Sequence, residues 1–287
     1  MLLIAGGTGF VGRYLTARLV AEGEAVRVLA RRPAELPGAQ TVTGDVTDPP
    51  SLLSAVEGCQ AVIHLVGIIR EGRGQTYRSV HVQGTANVIE ACRQAGVPRL
   101  LHMSALGARD RAASRYHRSK WEAEQLVRAS GLAATIFRPS VMFGQGGEFV
   151  PTIKRLVEKP PVIPIIGKGT ALLQPIWVED VVSCFVGALH KDDTAGRAYE
   201  LGGPETYGFE QLVDLISEAE GIEKPKVHLP VWLMRIAAGI GSRLTSRVPL
   251  TPDQLTMLLE DNYCDIREMC QTFGMRPTSI RDHLREM

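Results

Sequence analysis

No charge of either sign dominates this sequence. Its 32 basic and 31 acidic residues leave a net charge of +1, with no long run of either kind. Neither nucleic acid nor an anionic membrane is therefore expected as the main partner. Aromatic residues make up only 6% of the chain, too few for a platform on which bases would stack. The cysteines (Cys59, Cys92, Cys184, Cys264 and Cys270) are odd in number and scattered, and they form no CxxC pair. The seven histidines show no ligand spacing either. A reduced, cytoplasmic protein without structural metal is expected. Also lacking is an uncharged apolar run of the roughly 20 residues that would span a bilayer. A removable N-terminal signal is not expected, because residues 2–12 carry a motif that its removal would destroy. There is no low-complexity segment and no internal repeat.

That motif organises the rest. Leu2, Leu3, Ile4 and Ala5 read as a buried strand, and Gly6, Gly9 and Gly12 follow at a spacing of three. An amphipathic segment over residues 14–22 comes next, with Leu15, Leu19 and Val20 on one face. Strand, glycine turn and helix form the first unit of a dinucleotide-binding βαβ fold. Gly6 permits the sharp turn, Gly9 lets backbone N–H groups approach a pyrophosphate, and Gly12 lets helix and strand pack closely. Thr8, Phe10 and Val11 complete the turn, which presents a helix N-terminus to phosphate.

Further strands are expected over residues 25–30, 41–43, 61–66, 100–103 and 133–137, the last broken by Arg138 and Pro139. Helical patterns separate several of them, notably residues 77–95, where Val80, Thr85, Val88, Ile89 and Cys92 face inward. This alternation specifies an α/β fold, a doubly wound parallel sheet of Rossmann type with a smaller C-terminal lobe. The expected division is 1–147 as the dinucleotide-binding domain with 174–203 returning to it, and 148–173 and 204–287 as a substrate or partner lobe. Ligands of such a sheet lie at the C-terminal strand ends.

Those strand ends carry the candidate site. Arg31 and Arg32 follow the second strand, where an acidic residue would bind the 2′-OH of NAD. A guanidinium there can clasp a 2′-phosphate, so NADP(H) is favoured over NAD(H), unless the two arginines are ordinary solvated charges. Asp45 and Val46 end the third strand, and Asp45 either accepts from the adenine amino group or caps the next segment. Leu65, Val66 and Gly67 end the fourth strand, where a cofactor would pass. Ser104 ends the fifth. Tyr116 and Lys120 then lie four apart, on one face of a helix over residues 116–129. The ammonium is expected to stabilise a phenolate and lower the tyrosine pKa, making Tyr116 a general acid or base while Ser104 holds the reacting oxygen. The alternative is a bland surface pair.

Taken together, residues 6–12, Gly67, Ser104, Tyr116-x3-Lys120 and Phe137-Arg138-Pro139-Ser140 resemble the short-chain dehydrogenase/reductase superfamily. Residues 28–31, 102–108 and 138–144 are similar to its atypical, extended branch, which includes the nucleotide-binding accessory subunit of mitochondrial complex I and its bacterial relatives. The resemblance implies that Tyr116 and Lys120 are the catalytic pair and Ser104 the accompanying serine. It also implies that Phe10, Val11, Asp45, Val66, Pro139 and Ser140 line the cofactor. Two functions follow as expectations: an NADP(H)-dependent oxidoreductase acting on a carbonyl, hydroxyl or quinone-like molecule, or a non-catalytic NAD(P)H-binding module of a larger, membrane-associated complex. Residues 229–244, from Leu229 to Leu244, are unusually apolar, interrupted only by Arg235 and Arg243. A helix buried against the second lobe is expected there, with an exposed protein-partner or lipid face as the alternative.

Overall fold

Short, unbroken apolar runs form the central strands, as they do where a parallel sheet is covered on both faces. The computed structural model describes residues 1–72, 74–244 and 250–285, and the chain divides into two compact units. The first comprises Met1–Pro139, Val178–Leu201 and Arg267–Met275; the second holds the remaining described residues. These bounds differ from the expected ones. Residues 140–147, 174–177 and 202–203 pack in the second unit, and residues 267–275 in the first. The Met142–Phe143 strand pairs with Ile176–Trp177 instead of joining the large sheet, while the Arg267–Phe273 helix packs on the Val178–Leu189 helix.

In the first unit, β1 (Leu2–Ala5), β2 (Val26–Ala30), β3 (Gln40–Thr43), β4 (Ala61–His64), β5 (Arg99–Met103) and β6 (Ala133–Pro139) form a parallel sheet with the Ala198–Leu201 strand. Its order is β3-β2-β1-β4-β5-β6, then Ala198–Leu201. The direction of winding reverses between β1 and β4, which is where such sheets open a crevice for ligands. Beneath one face, Leu3, Val62, Leu100 and Ile136 meet Leu52 of α2 (Pro49–Val56), Val88 of α3 (Gly84–Gln94) and Val127 of α4 (Arg115–Arg128). Ile4, Ile63 and Leu101, one residue out of phase, are buried on the other face. There α1 (Phe10–Ala21) packs with the Val178–Leu189 helix.

Two local departures from expectation bear on the site. Residues 77–95 are not one α-helix. The backbone N–H groups of Thr76 and Ser79 each donate to the other's hydroxyl, at 2.9 and 3.0 Å, and start the helix. Arg78–Gln83 is then a π-helical turn, in which the Gly84 N–H reaches back to the Ser79 carbonyl. π-turns of this kind recur at functional sites. Secondly, β6 does not stop at Arg138. It runs through Pro139, which lacks an N–H to offer but accepts from the Leu106 N–H at 2.9 Å.

The second unit has its own core of Phe143, Ile153, Ile165, Leu173, Leu212, Ile216 and Ile280. Its Ile163–Ile166 strand pairs in parallel with Lys226–Leu229, which leads into the Val231–Leu244 helix. That helix is not buried as expected: Trp232, Leu233 and Ile236 are exposed. Among the described residues, no helix is long and apolar enough to cross a membrane.

Candidate active site

The glycine turn leaves α1 without a side-chain cap. Gly9 is its N-cap, which makes no side-chain capping bond. The turn is closed by the Gly9 N–H donating to the Gly6 carbonyl at 3.0 Å, and Arg13 Nε braces it at the Thr8 carbonyl, also at 3.0 Å. Gly6 takes φ +94°, a left-handed conformation, and lies against Leu65 and Val66 with 3.1 Å from its would-be Cβ to the Val66 nitrogen. A Cβ on Gly12 would stand 2.2 Å from the Gly6 carbonyl oxygen, whereas one on Gly9 would meet only that oxygen, at 3.3 Å. Gly12 is thus required by packing, whereas the fold around Gly9 leaves it open. Exposed backbone donors at a helix N-terminus, with open space above them, fit a pyrophosphate.

The end of β4 brings the turn to the α4 residues. Gly67 leaves space for Lys120: a Cβ there would lie 3.2 Å from Lys120 Nζ and 3.5 Å from His81 Nε2. Lys120 is 2% exposed and donates from Nζ to the Met103 carbonyl at 2.9 Å. Burial lowers its pKa to about 8, with Glu124 acting in the opposite direction. Tyr116, half-buried one turn earlier, packs edge-on against the rings of Tyr77 and His81. Here the structure corrects the expected sign. Burial pushes the Tyr116 phenol up to about 12, and the Lys120 ammonium, drawn to Met103, does not offset it. At neutral pH the phenol is protonated.

Ser104 is arranged differently from expectation as well. It is 3% exposed and its hydroxyl donates to Glu124 Oε1 at 2.5 Å. Glu124 is fully buried, and Arg138 grips it through Nε to Oε1 (2.9 Å) and Nη2 to Oε2 (2.6 Å). A hydroxyl has a single proton to give, so Ser104 retains only lone pairs for any further contact. It cannot donate to a carbonyl oxygen while this bond stands.

Three residues outside the expected site set hold this cluster together. His81, in the π-turn, accepts from the Ile68 N–H at Nε2 (2.9 Å), so its proton sits on Nδ1 and is donated to Ser119 Oγ (2.8 Å). Ser119 in turn donates to the Tyr116 carbonyl at 2.7 Å. One imidazole thereby ties the loop after β4 to the start of α4. Burial first, then Lys120, lowers its pKa to about 2, which keeps the tautomer neutral. Glu124 and Arg138 are the other two. The only sequence signal for Glu124 was its place one turn beyond Lys120 on the same helix face.

The remaining expected residues fall as follows. Arg31 and Arg32 are exposed at the end of β2. Asp45 accepts from the Thr47 N–H and hydroxyl at 2.9 and 2.8 Å; it shapes its own turn and does not cap α2, whose N-cap is Asp48. Val46 and Leu65 are buried, with Val46 against Gly84. Pro139 closes β6, and Ser140 opens the second unit, where its hydroxyl donates to Asn262 Oδ1 at 2.7 Å.

Comparison with known proteins places the chain in a family. The chain is 30% identical over 258 residues to "NADH dehydrogenase [ubiquinone] 1 alpha subcomplex subunit 9, mitochondrial" of Arabidopsis thaliana, covering 86% of this chain and 64% of that one. It is 33% identical over 191 residues to a "Ceramide reductase" of Caulobacter vibrioides, covering 65% and 60% respectively. The match thus spans less than two thirds of either relative's length. The crystal structure of a nucleoside-diphosphate-sugar epimerase from Staphylococcus aureus superposes with a TM-score of 0.80 over 99% of both chains at 17% identity, a likeness of fold. Residues 2–202 match the family model itself, and the chain belongs to the NAD dependent epimerase/dehydratase family, within the short-chain dehydrogenase/reductase superfamily.

Proposed function

We propose that the protein is an NADP(H)-dependent oxidoreductase acting on a carbonyl or hydroxyl group of a small molecule or on a quinone-like one. The observation that carries this reading is Lys120, a buried ammonium beside Gly67 and one turn from a protonated Tyr116. A nicotinamide cofactor, when bound, supplies the hydride. Gly9 and the first turn of α1 would hold its pyrophosphate, with Thr8, Phe10 and Val11 around it, and Asp45, Val46, Leu65, Val66 and Pro139 would complete the lining. Arg31 and Arg32 receive the 2′-phosphate. Tyr116 gives its proton to the substrate oxygen, and Lys120, held at the Met103 carbonyl, would hold the cofactor's ribose. Ser104 acts through Glu124, fixing α4 against the ends of β5 and β6.

The test pairs two variants. Tyr116→Phe is expected to slow NADPH oxidation across a carbonyl and quinone panel by about 10²- to 10⁴-fold, with NADPH affinity retained. Arg31→Asp is expected to weaken NADPH far more than NADH by calorimetry. Equal losses for both cofactors would remove the 2′-phosphate role. A second reading is favoured by one observation: the Ser104 proton is already given to Glu124. In that reading the protein retains NAD(P)H as a non-catalytic module of a larger assembly. Bound NADPH that no panel member oxidises, with Tyr116→Phe silent, would establish it in place of the enzyme.

A further inference from the structure

The Val231–Leu244 helix presents Trp232, Leu233 and Ile236 to solvent at 64%, 43% and 52% exposure. These positions share one helical face, whereas Met234 and Ala238, one turn apart, face inward. Arg235 is exposed among the apolar residues, and Val227 on the strand leading into the helix is 42% exposed. An apolar face of this kind marks an interaction surface.

Charge identifies the occupant. Although the whole chain is balanced, no aspartate or glutamate occurs between Glu223 and Asp253, while Arg235, Arg243 and Arg247 fall there. Lys226 is already paired with Glu210 and Asp214, and Lys224 with the Val157 carbonyl, so the arginines carry the charge. We propose that this helix docks in the plane of a phospholipid bilayer bearing anionic headgroups. Tryptophan and aliphatic residues beside arginine suit the boundary between acyl chains and headgroups. The Arg235 stem lies along the apolar layer while its guanidinium reaches a lipid phosphate. At 14 residues the helix extends about 21 Å, short of the roughly 30 Å needed to span, so it lies flat. A second copy of the chain is a poorer occupant, because a two-fold contact would set Arg235 against its own image.

The experiment is co-flotation of the full chain with vesicles of phosphatidylcholine, with and without phosphatidylglycerol. The expected result is flotation with the phosphatidylglycerol vesicles alone, declining as salt rises. Ile236→Glu should weaken it about tenfold or more, and Arg235→Gln about fivefold. Both residues are exposed, so circular dichroism and melting should stay as in the parent. No flotation with phosphatidylglycerol overturns the proposal. So does equal flotation with phosphatidylcholine, or flotation that neither variant weakens. A concentration-dependent dimer that Ile236→Glu abolishes, without vesicle binding, would assign the face to a second copy.

Discussion

Two regions of this protein break the ordinary rule of burial in opposite directions. Around α4, the interior holds an ammonium, a carboxylate and several imidazoles. On the Val231–Leu244 helix, large apolar side chains stand in water. Buried polar groups and exposed apolar patches are the informative departures from that rule. The contrast separates two kinds of constraint. Inside, each polar group must be satisfied by a specific neighbour, so geometry is tightly determined. Outside, among the described residues, no neighbour covers Trp232, Leu233 and Ile236.

The largest expected effect lies in the interior's backbone frame. Gly12→Ala would place a Cβ 2.2 Å from the Gly6 carbonyl and 2.5 Å from Gly7 Cα, with backbone on both sides and nothing to yield. The glycine turn should not form. NADPH binding should disappear and thermal melting fall sharply; a variant that melts as the parent does would mean that α1 can shift away.

Next is the buried ion pair. Glu124→Ala takes from Arg138 its two-point partner, leaving it Glu200 at 3.5 Å, and removes the acceptor of Ser104. Breaking one partner of such a pair costs about 3 kcal/mol or more, measurable as a lower urea midpoint. A change within about 0.5 kcal/mol would show that the network orders nothing.

The pH dependence of stability offers a finer probe. The Lys120 pKa falls from 10.5 in an ordinary lysine to about 8 here. Between those values the unfolded chain holds a proton that the folded one has lost, so stability rises with pH through this window. Below about pH 8 the buried ammonium is a cost carried by the fold. Lys120→Met should flatten the rise between pH 8 and 10, read by urea titration at each pH. An unchanged slope would trace it to other groups.

His102 tests the limit of the rule. It is 1% exposed, lies 5.3 Å ring to ring from His64, and neither of its nitrogens has a hydrogen-bond partner among the described residues. Burial, followed by its charged and imidazole neighbours, lowers its pKa well below the usual range, so it is neutral. An unsatisfied buried N–H costs about 1–3 kcal/mol, and His102→Leu should raise the melting temperature. A drop would reveal a hidden partner. The smallest effect belongs to the outer region. Ile236→Ser should leave stability within about 0.5 kcal/mol of the parent by melting, and a larger loss would mean the side chain packs.

The frame was legible in the sequence because it is local. Apolar runs of four or five residues made strands, and Gly6, Gly9 and Gly12 made a turn whose geometry depends on nothing beyond a few neighbours. Tyr116 and Lys120 share a helix face because four residues make about one turn. The strand continues through Arg138-Pro139, since their pairing with Glu200 and Leu201 outweighed a local proline signal.

What the sequence alone determined, then, is the order of strands and helices and the presence of a glycine turn and a Tyr-x3-Lys pair, all properties of spacing along the chain. The tertiary structure decided their chemistry. Ser104 meets Glu124 twenty residues away, His81 meets Ser119 across 38, and Gly67 meets Lys120 from another element altogether. Whether the Tyr116 pKa rises or falls depends on how deeply α4 is buried and where the Lys120 ammonium points, and burial prevails. The same holds for residues 229–244, whose composition suits a core or a surface equally. Hydrophobicity measures only the gain from leaving water, and the packing of the second unit leaves Trp232, Leu233 and Ile236 exposed.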